Sequence, residues 1–207
     1  MPVWQSIYEE LKDDNFEIIS AAQDTGGEAA AGKIFDDAKV TYTSIIDVDH
    51  TISSLYNLVN VPSAVWIDET GKIVRINEGT YAESHKLGTY EFGSDDYVPA
   101  LRDWVKNGAD SKYAWDVERV TSKIRQRTPD EAMGEPAFKL ANYFFKQDDL
   151  ERANRYWDKA QALHPDSWNF HRQDWSFLNP AETNRNFTQK VGTLGDTPYY
   201  APLELEN

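Results

Sequence analysis

Val59-Asn60-Val61-Pro62-Ser63-Ala64-Val65-Trp66-Ile67-Asp68-Glu69-Thr70-Gly71-Lys72-Ile73-Val74 is the stretch on which the fold turns. An apolar run launched by a proline and closed by an Asp-x-x-Gly turn reads as a β-hairpin, with its second strand over 72–76. Pro62 has no N–H to give to a ladder. The Val61-Pro62 step is therefore a strained, cis-prone entry to a buried strand, placed where backbone groups can face a partner.

Upstream of the hairpin, Val3, Trp4, Ile7, Tyr8 and Leu11 recur at helical spacing behind Pro2, which predicts an amphipathic helix over 2–13. A short apolar strand is expected over 16–22, a polar turn over 23–27, a second helix over 28–38 and an extended β-branched segment over 41–46. Asp47-Val48-Asp49-His50 then leads into a helix carrying Ile52, Leu55, Tyr56 and Val59. Strand and helix alternate through this half, so it reads as an α/β sheet with flanking helices.

Downstream, residues 79–97 read as a long polar loop of the functional or disordered kind. A helix over 98–106 closes the domain near Gly108. Val117, Val120 and Ile124 mark a further helix before Thr128-Pro129. Leu140, Ala141, Phe144, Ala153, Trp157, Ala160 and Pro165 then fall at the spacing of one tetratricopeptide-like helical hairpin, which is expected either to be capped by helices over 116–127 and 166–178 or to pack on the α/β domain. The tail carries Pro180, Pro198 and Pro202 and is expected to wrap in extended form. The expected division is 1–110 for the α/β domain, 111–178 for the helical region and 179–207 for the tail.

Composition narrows the functional classes. Thirty-five acidic against 21 basic side chains give a net charge of −14, which repels nucleic acid and anionic lipid. The chain contains no cysteine, so disulfides, thiolate metal sites and thiol nucleophiles are excluded. No apolar run reaches membrane-spanning length and no signal peptide precedes Pro2, so the chain as written is expected in the cytoplasm. Hydrolase, kinase and dehydrogenase motifs are absent from the sequence.

Asp47, Asp49 and His50 bear comparison with a metal-ligand set, but Asp49 capping the helix at Thr51 is the simpler role. His85 is read as an exposed loop residue, and His164 and His171 as packing residues. No catalytic residue, metal or cofactor is expected. The seven tryptophans are many for this length. Trp157, Trp168 and Trp175 cluster in the helical half as candidates for partner binding.

Several segments, taken in order, resemble the TlpA/ResA-like redoxins, thioredoxin-fold thiol-disulfide oxidoreductases related to peroxiredoxins. They are Pro2-Val3-Trp4 with Tyr8-Glu9-Glu10-Leu11, Phe16 to Ser20, Asp47-Val48-Asp49, Tyr56, Val61-Pro62, Ile67-Asp68 and Gly71-Lys72-Ile73-Val74. The resemblance implies a thioredoxin-like sheet in which Val61, Pro62 and Ser63 form the substrate-facing loop. It also implies that the Cys-x-x-Cys segment and the first central strand are missing here. The gap is expected to be closed by direct pairing of the 16–22 and 63–67 strands, by insertion of residues 193–205, or by a second chain.

The function this implies is redox-inactive binding of a protein or peptide, with a homodimer through the unpaired sheet as one form. An alternative reading makes the chain a piece of an active cell-envelope oxidoreductase whose Cys-x-x-Cys lies upstream of Met1. Another assigns it cysteine-independent catalysis by Asp49, His50 and His85.

Overall fold

A computed structural model describes residues 1–87, 90–178 and 180–205. The architecture is mixed α/β, with short strands and many helices. Two compact units divide it: one takes Met1–Val48, Pro62–Ile124 and the tail from Tyr200, the other Asp49–Val61 and Arg125–Tyr199. We call them unit 1 and unit 2.

Unit 1 opens with α1 (Pro2–Leu11), whose proline occupies the first turn, where an N–H would be unused. The strands β1 (Ile19–Ala22) and β2 (Thr43–Ile46) flank α2 (Glu28–Ala38) and pair in parallel, Ile19 opposite Thr43 through Ala22 opposite Ile46. The central hairpin forms as its sequence dictates, from β3 (Ser63–Ile67) and β4 (Ile73–Glu78), antiparallel, with an irregularity at Trp66/Ile67. Asp68 builds the turn. Its Oδ1 accepts from the Thr70 and Lys72 N–H groups and the Thr70 hydroxyl, and Gly71 supplies the left-handed φ of 81°.

The segment over 79–97, expected as a long polar loop of the functional or disordered kind, is partly paired. Strands β5 (His85–Leu87) and β6 (Tyr90–Phe92) pair antiparallel, and Phe92 and His85 stack beside Tyr81. Two more helices follow, α4 (Tyr97–Asn107) and α5 (Val117–Lys123). The apolar core of unit 1 joins Ile7 and Leu11 of α1, Trp66 of β3, and Tyr97, Val98, Ala100 and Leu101 of α4. Trp66 stacks on Trp104 and donates its Nε1–H to the buried Tyr97 hydroxyl at 2.8 Å.

Unit 2 is helical. Its frame is the hairpin of α6 (Pro129–Lys146) and α7 (Leu150–Leu163), followed by α8 (Trp168–Leu178) and α9 (Thr183–Gly192). Thr128 and Glu131 form a reciprocal capping box at the start of α6, and Asp149 caps α7. Ala141, Ala153 and Ala160 are wholly buried, so the helices approach closely while Phe138, Trp157 and Phe170 fill the remaining space.

The α9 helix corrects the expectation of an extended tail over its whole length. The short helix α3 (Thr51–Tyr56) also belongs to unit 2. It is tied there by Arg127 to the Ser54 carbonyl, Asn57 to the Arg125 carbonyl and His50 to Gln173. Its N-cap is His50 in a left-handed conformation, not Asp49.

Trp157 is 1% exposed and its Nε1–H is satisfied by Asn142 Oδ1 at 3.1 Å. Trp157→Ala is expected to cost about 3–5 kcal/mol in urea unfolding followed by circular dichroism. Val117→Ala, on an exposed face, should stay within about 0.5 kcal/mol of the parent.

Candidate functional site

The strands of unit 1 stand in separate two-stranded ladders: β1 with β2, β3 with β4, β5 with β6. Neither the direct pairing of β1 with β3 nor a strand inserted from 193–205 is formed among the described residues. Each ladder therefore has an outer edge, and alternation along the strand fixes which backbone groups point to it.

On β1 the Ala22 carbonyl accepts from the Asp47 N–H at 2.8 Å, so Ala22 and Ser20 face β2. Ile19 and Ala21 then turn their N–H and C=O groups to the open side. Across the pair, Ser20 and Ser44 hydroxyls meet at 3.0 Å. Parallel pairs are normally covered on both faces. Here Ile19 is 67% and Ile45 41% exposed, which marks this pair as sparsely covered.

On β4 the Val74 carbonyl accepts from the Trp115 N–H at 2.8 Å, so Val74 and Ile76 point away from β3 while Arg75 and Asn77 point toward it. Their partners Trp66 and Ala64 therefore complete the ladder. Val65, opposite Ile76, presents its N–H and C=O on the far edge of β3, where no strand pairs among the described residues.

The loop singled out from sequence enters this edge. Val61 belongs to unit 2, and Pro62 and Ser63 belong to unit 1. The Pro62 carbonyl is occupied within the chain, accepting from Gly79 N–H at 2.7 Å and Thr80 N–H at 3.2 Å. Ser63 opens β3 opposite Glu78.

The candidate tryptophans of unit 2 separate by burial. Trp157 and Trp168 are 1% and 6% exposed and serve as packing residues, Trp168 against Phe187 and Tyr199. Trp175 is half-buried and lines an open groove of about 380 Å³ with Asn186, Gln189, Lys190 and Thr193. Among the described residues no group of acids and histidines is arranged to hold a metal ion. His50 and His164 are buried, and His85 packs in a ring cluster with Tyr81 and Phe92, which also touch each other.

One feature of unit 2 was not legible in the sequence: α8 buries polar side chains. Burial pushes the Asp174 carboxyl up to about 7, with Asp158 adding to the effect and the Trp175 backbone, Gln161 and Lys190 opposing it. Burial, reinforced by Lys190, pushes His171 down to about 4 against the pull of the Pro165 carbonyl. No helix among the described residues is long and apolar enough to cross a membrane.

These two groups oppose each other in pH. Between about 4 and 7 folded Asp174 keeps a proton that the unfolded chain releases, so its contribution to stability falls as pH rises. Folded His171 refuses a proton that the unfolded chain takes up below 6.5, so its contribution falls as pH drops toward about 4. Asp174→Asn removes only the first slope. It is expected to raise stability at pH 8 by up to about 4 kcal/mol and to change it little near pH 4, measured by thermal melting at both. No family model, curated protein or solved structure matches the chain.

Proposed function

We propose that unit 1 is a redoxin-like, thioredoxin-related scaffold without thiol chemistry, which binds an extended protein or peptide segment as an added strand on the open edges of β1 and β3. The observation that carries this reading is the outward backbone groups at Ala21 and Val65, with no strand beside either among the described residues. Such groups are a template for main-chain pairing.

The absence of cysteine supports a binding role. The ordered resemblance to redoxins supports β1 and β3 as the edges concerned, since a central strand lies between their counterparts in that family. In this reading the Val61-Pro62-Ser63 loop sets where β3 begins. Its carbonyl at Pro62 is held by Gly79 and Thr80, so affinity comes from the strand edge. A second copy of the chain is an alternative occupant of the same edge.

Proline provides the test, because it deletes one N–H at a chosen side of a strand. Ala21→Pro and Val65→Pro remove outward N–H groups and leave the internal ladder bonds in place. A displayed library of short peptides with alternating apolar positions is the probe. Selected peptides are expected to bind the parent chain and Ile46→Pro, which alters the outer edge of β2, and to lose binding to Ala21→Pro and Val65→Pro. Unchanged binding to both of these, with circular dichroism showing them folded, would refute the proposal. Sedimentation velocity identifies a homodimer, which the same two variants should dissociate.

A further inference from the structure

Residues 200–205 are bound to unit 1 as a ligand would be. Tyr200 lies against Gly79 so closely that a Cβ there would come within 2.7 Å of the ring, and it meets Tyr81 and Phe92 edge-on at 6.1 Å. Beyond it, Leu203 and Leu205 pack on the apolar core of the unit, while Ala201, Pro202 and Glu204 are exposed. The Glu204 side chain takes a 2.7 Å bond from Lys123 and an ion pair with Arg119 at 3.7 Å. Its backbone carbonyl accepts from Arg75 Nη1 at 2.9 Å.

The segment pairs with no strand among the described residues, and its own backbone closes locally, Leu205 N–H to Leu203 C=O. It is held by its side chains and by one backbone contact, the Glu204 carbonyl on Arg75. These are the elements by which a groove reads a short peptide: an aromatic pocket, a pair of apolar seats and a basic rim.

Arg75 shows that the seat is underused. The side chain is fully buried, its guanidinium stacks 4.3 Å from the Trp115 ring and 5.3 Å from Trp66, and Nε and Nη1 are bonded. Its Nη2 has no hydrogen-bond partner among the described residues. A buried donor left unused costs free energy that a second acceptor would recover.

We infer that this groove recognises a partner segment with an aromatic residue followed by a Leu-acid-Leu triplet and a second acceptor for Arg75, and that residues 200–205 occupy it in cis until displaced. The site is separate from the open strand edges and stands without that reading. The cis strap limits access, so occupancy depends on competition between the tail and an acidic, apolar segment in trans.

The probe is a fluorescein-labelled peptide of residues 197–205, titrated against the full chain and read by anisotropy. Weakening the strap by Leu203→Ser with Leu205→Ser is expected to tighten trans binding by about tenfold or more over the parent. Should that pair fail to fold, Tyr200→Ala weakens the strap at its other end and should act in the same direction. Lys123→Glu in the strap-weakened chain should weaken binding of the parent peptide and favour a Glu204→Lys peptide. A folded, strap-weakened chain that binds no tighter than the parent, or that ignores the charge reversal, would overturn the proposal. Sedimentation showing that the tails exchange between copies in the parent would overturn it in favour of a swapped dimer.

Discussion

A backbone N–H or C=O in a strand must find a partner on its own side of the ribbon or be left to solvent or to a binding segment. In unit 1 that constraint meets, among the described residues, ladders of two strands each. An isolated two-stranded ladder is marginal in water, so side chains must do what neighbouring strands do in a larger sheet. Trp66, Tyr97 and Trp104 lock β3 onto α4, and Arg75 ties β4 to the Tyr113 carbonyl and to the tail. The outward groups of Ala21 and Val65 are what this arrangement leaves over.

Unit 2 solves a different problem. Small residues bring α6 and α7 together, and a layer of stacked aromatics, Phe138 on Phe170 and Phe145 on Phe177, fills the space. Polar groups buried on α8 then fasten the 49–61 segment. Asn169 donates through its backbone to Val59 and through its side chain to Leu58, and His50 meets Gln173 at 3.0 Å. Such bonds confer specificity more than net stability, because each replaces a bond to water. Asp174 and His171 show the cost of placing titratable groups there.

The parts of this fold that sequence reveals are those set by local chemistry. Pro62, Asp68 and Gly71 announce the central hairpin because each fixes a backbone angle or a turn bond. The second helix begins and ends at Glu28 and Ala38 as its pattern indicates. The alanines at 141, 153 and 160 mark a close helix pair. What escaped was set at long range. Helix α3 reads as part of an alternating α/β run, and it takes long-range bonds to assign its surroundings to unit 2: Arg127 and Asn169 donate to the Ser54 and Leu58 carbonyls, Asn57 donates to the Arg125 carbonyl, and His50 meets Gln173. Helix α9 buries only Val191 among its apolar residues, so its stretch reads as polar tail. The strands at 85–87 and 90–92 are too short for alternation to register. Of the candidate site, the Val61-Pro62-Ser63 loop was visible, but the occupation of the Pro62 carbonyl depends on Gly79 and Thr80, which sequence places in a loop. The strap was invisible because its contacts with Arg75, Arg119 and Lys123 span some of the longest separations within unit 1.

Residue-resolved amide hydrogen exchange tests the central claim most directly. Open edges predict fast exchange at Ala21 and Val65, beside protected amides at Ala22 and Trp66, whose N–H groups point into the ladders. They further predict that the two fast amides become protected when a selected peptide binds. Equal protection of all four amides in the free chain would mean that both edges are already closed, and the binding account would fail.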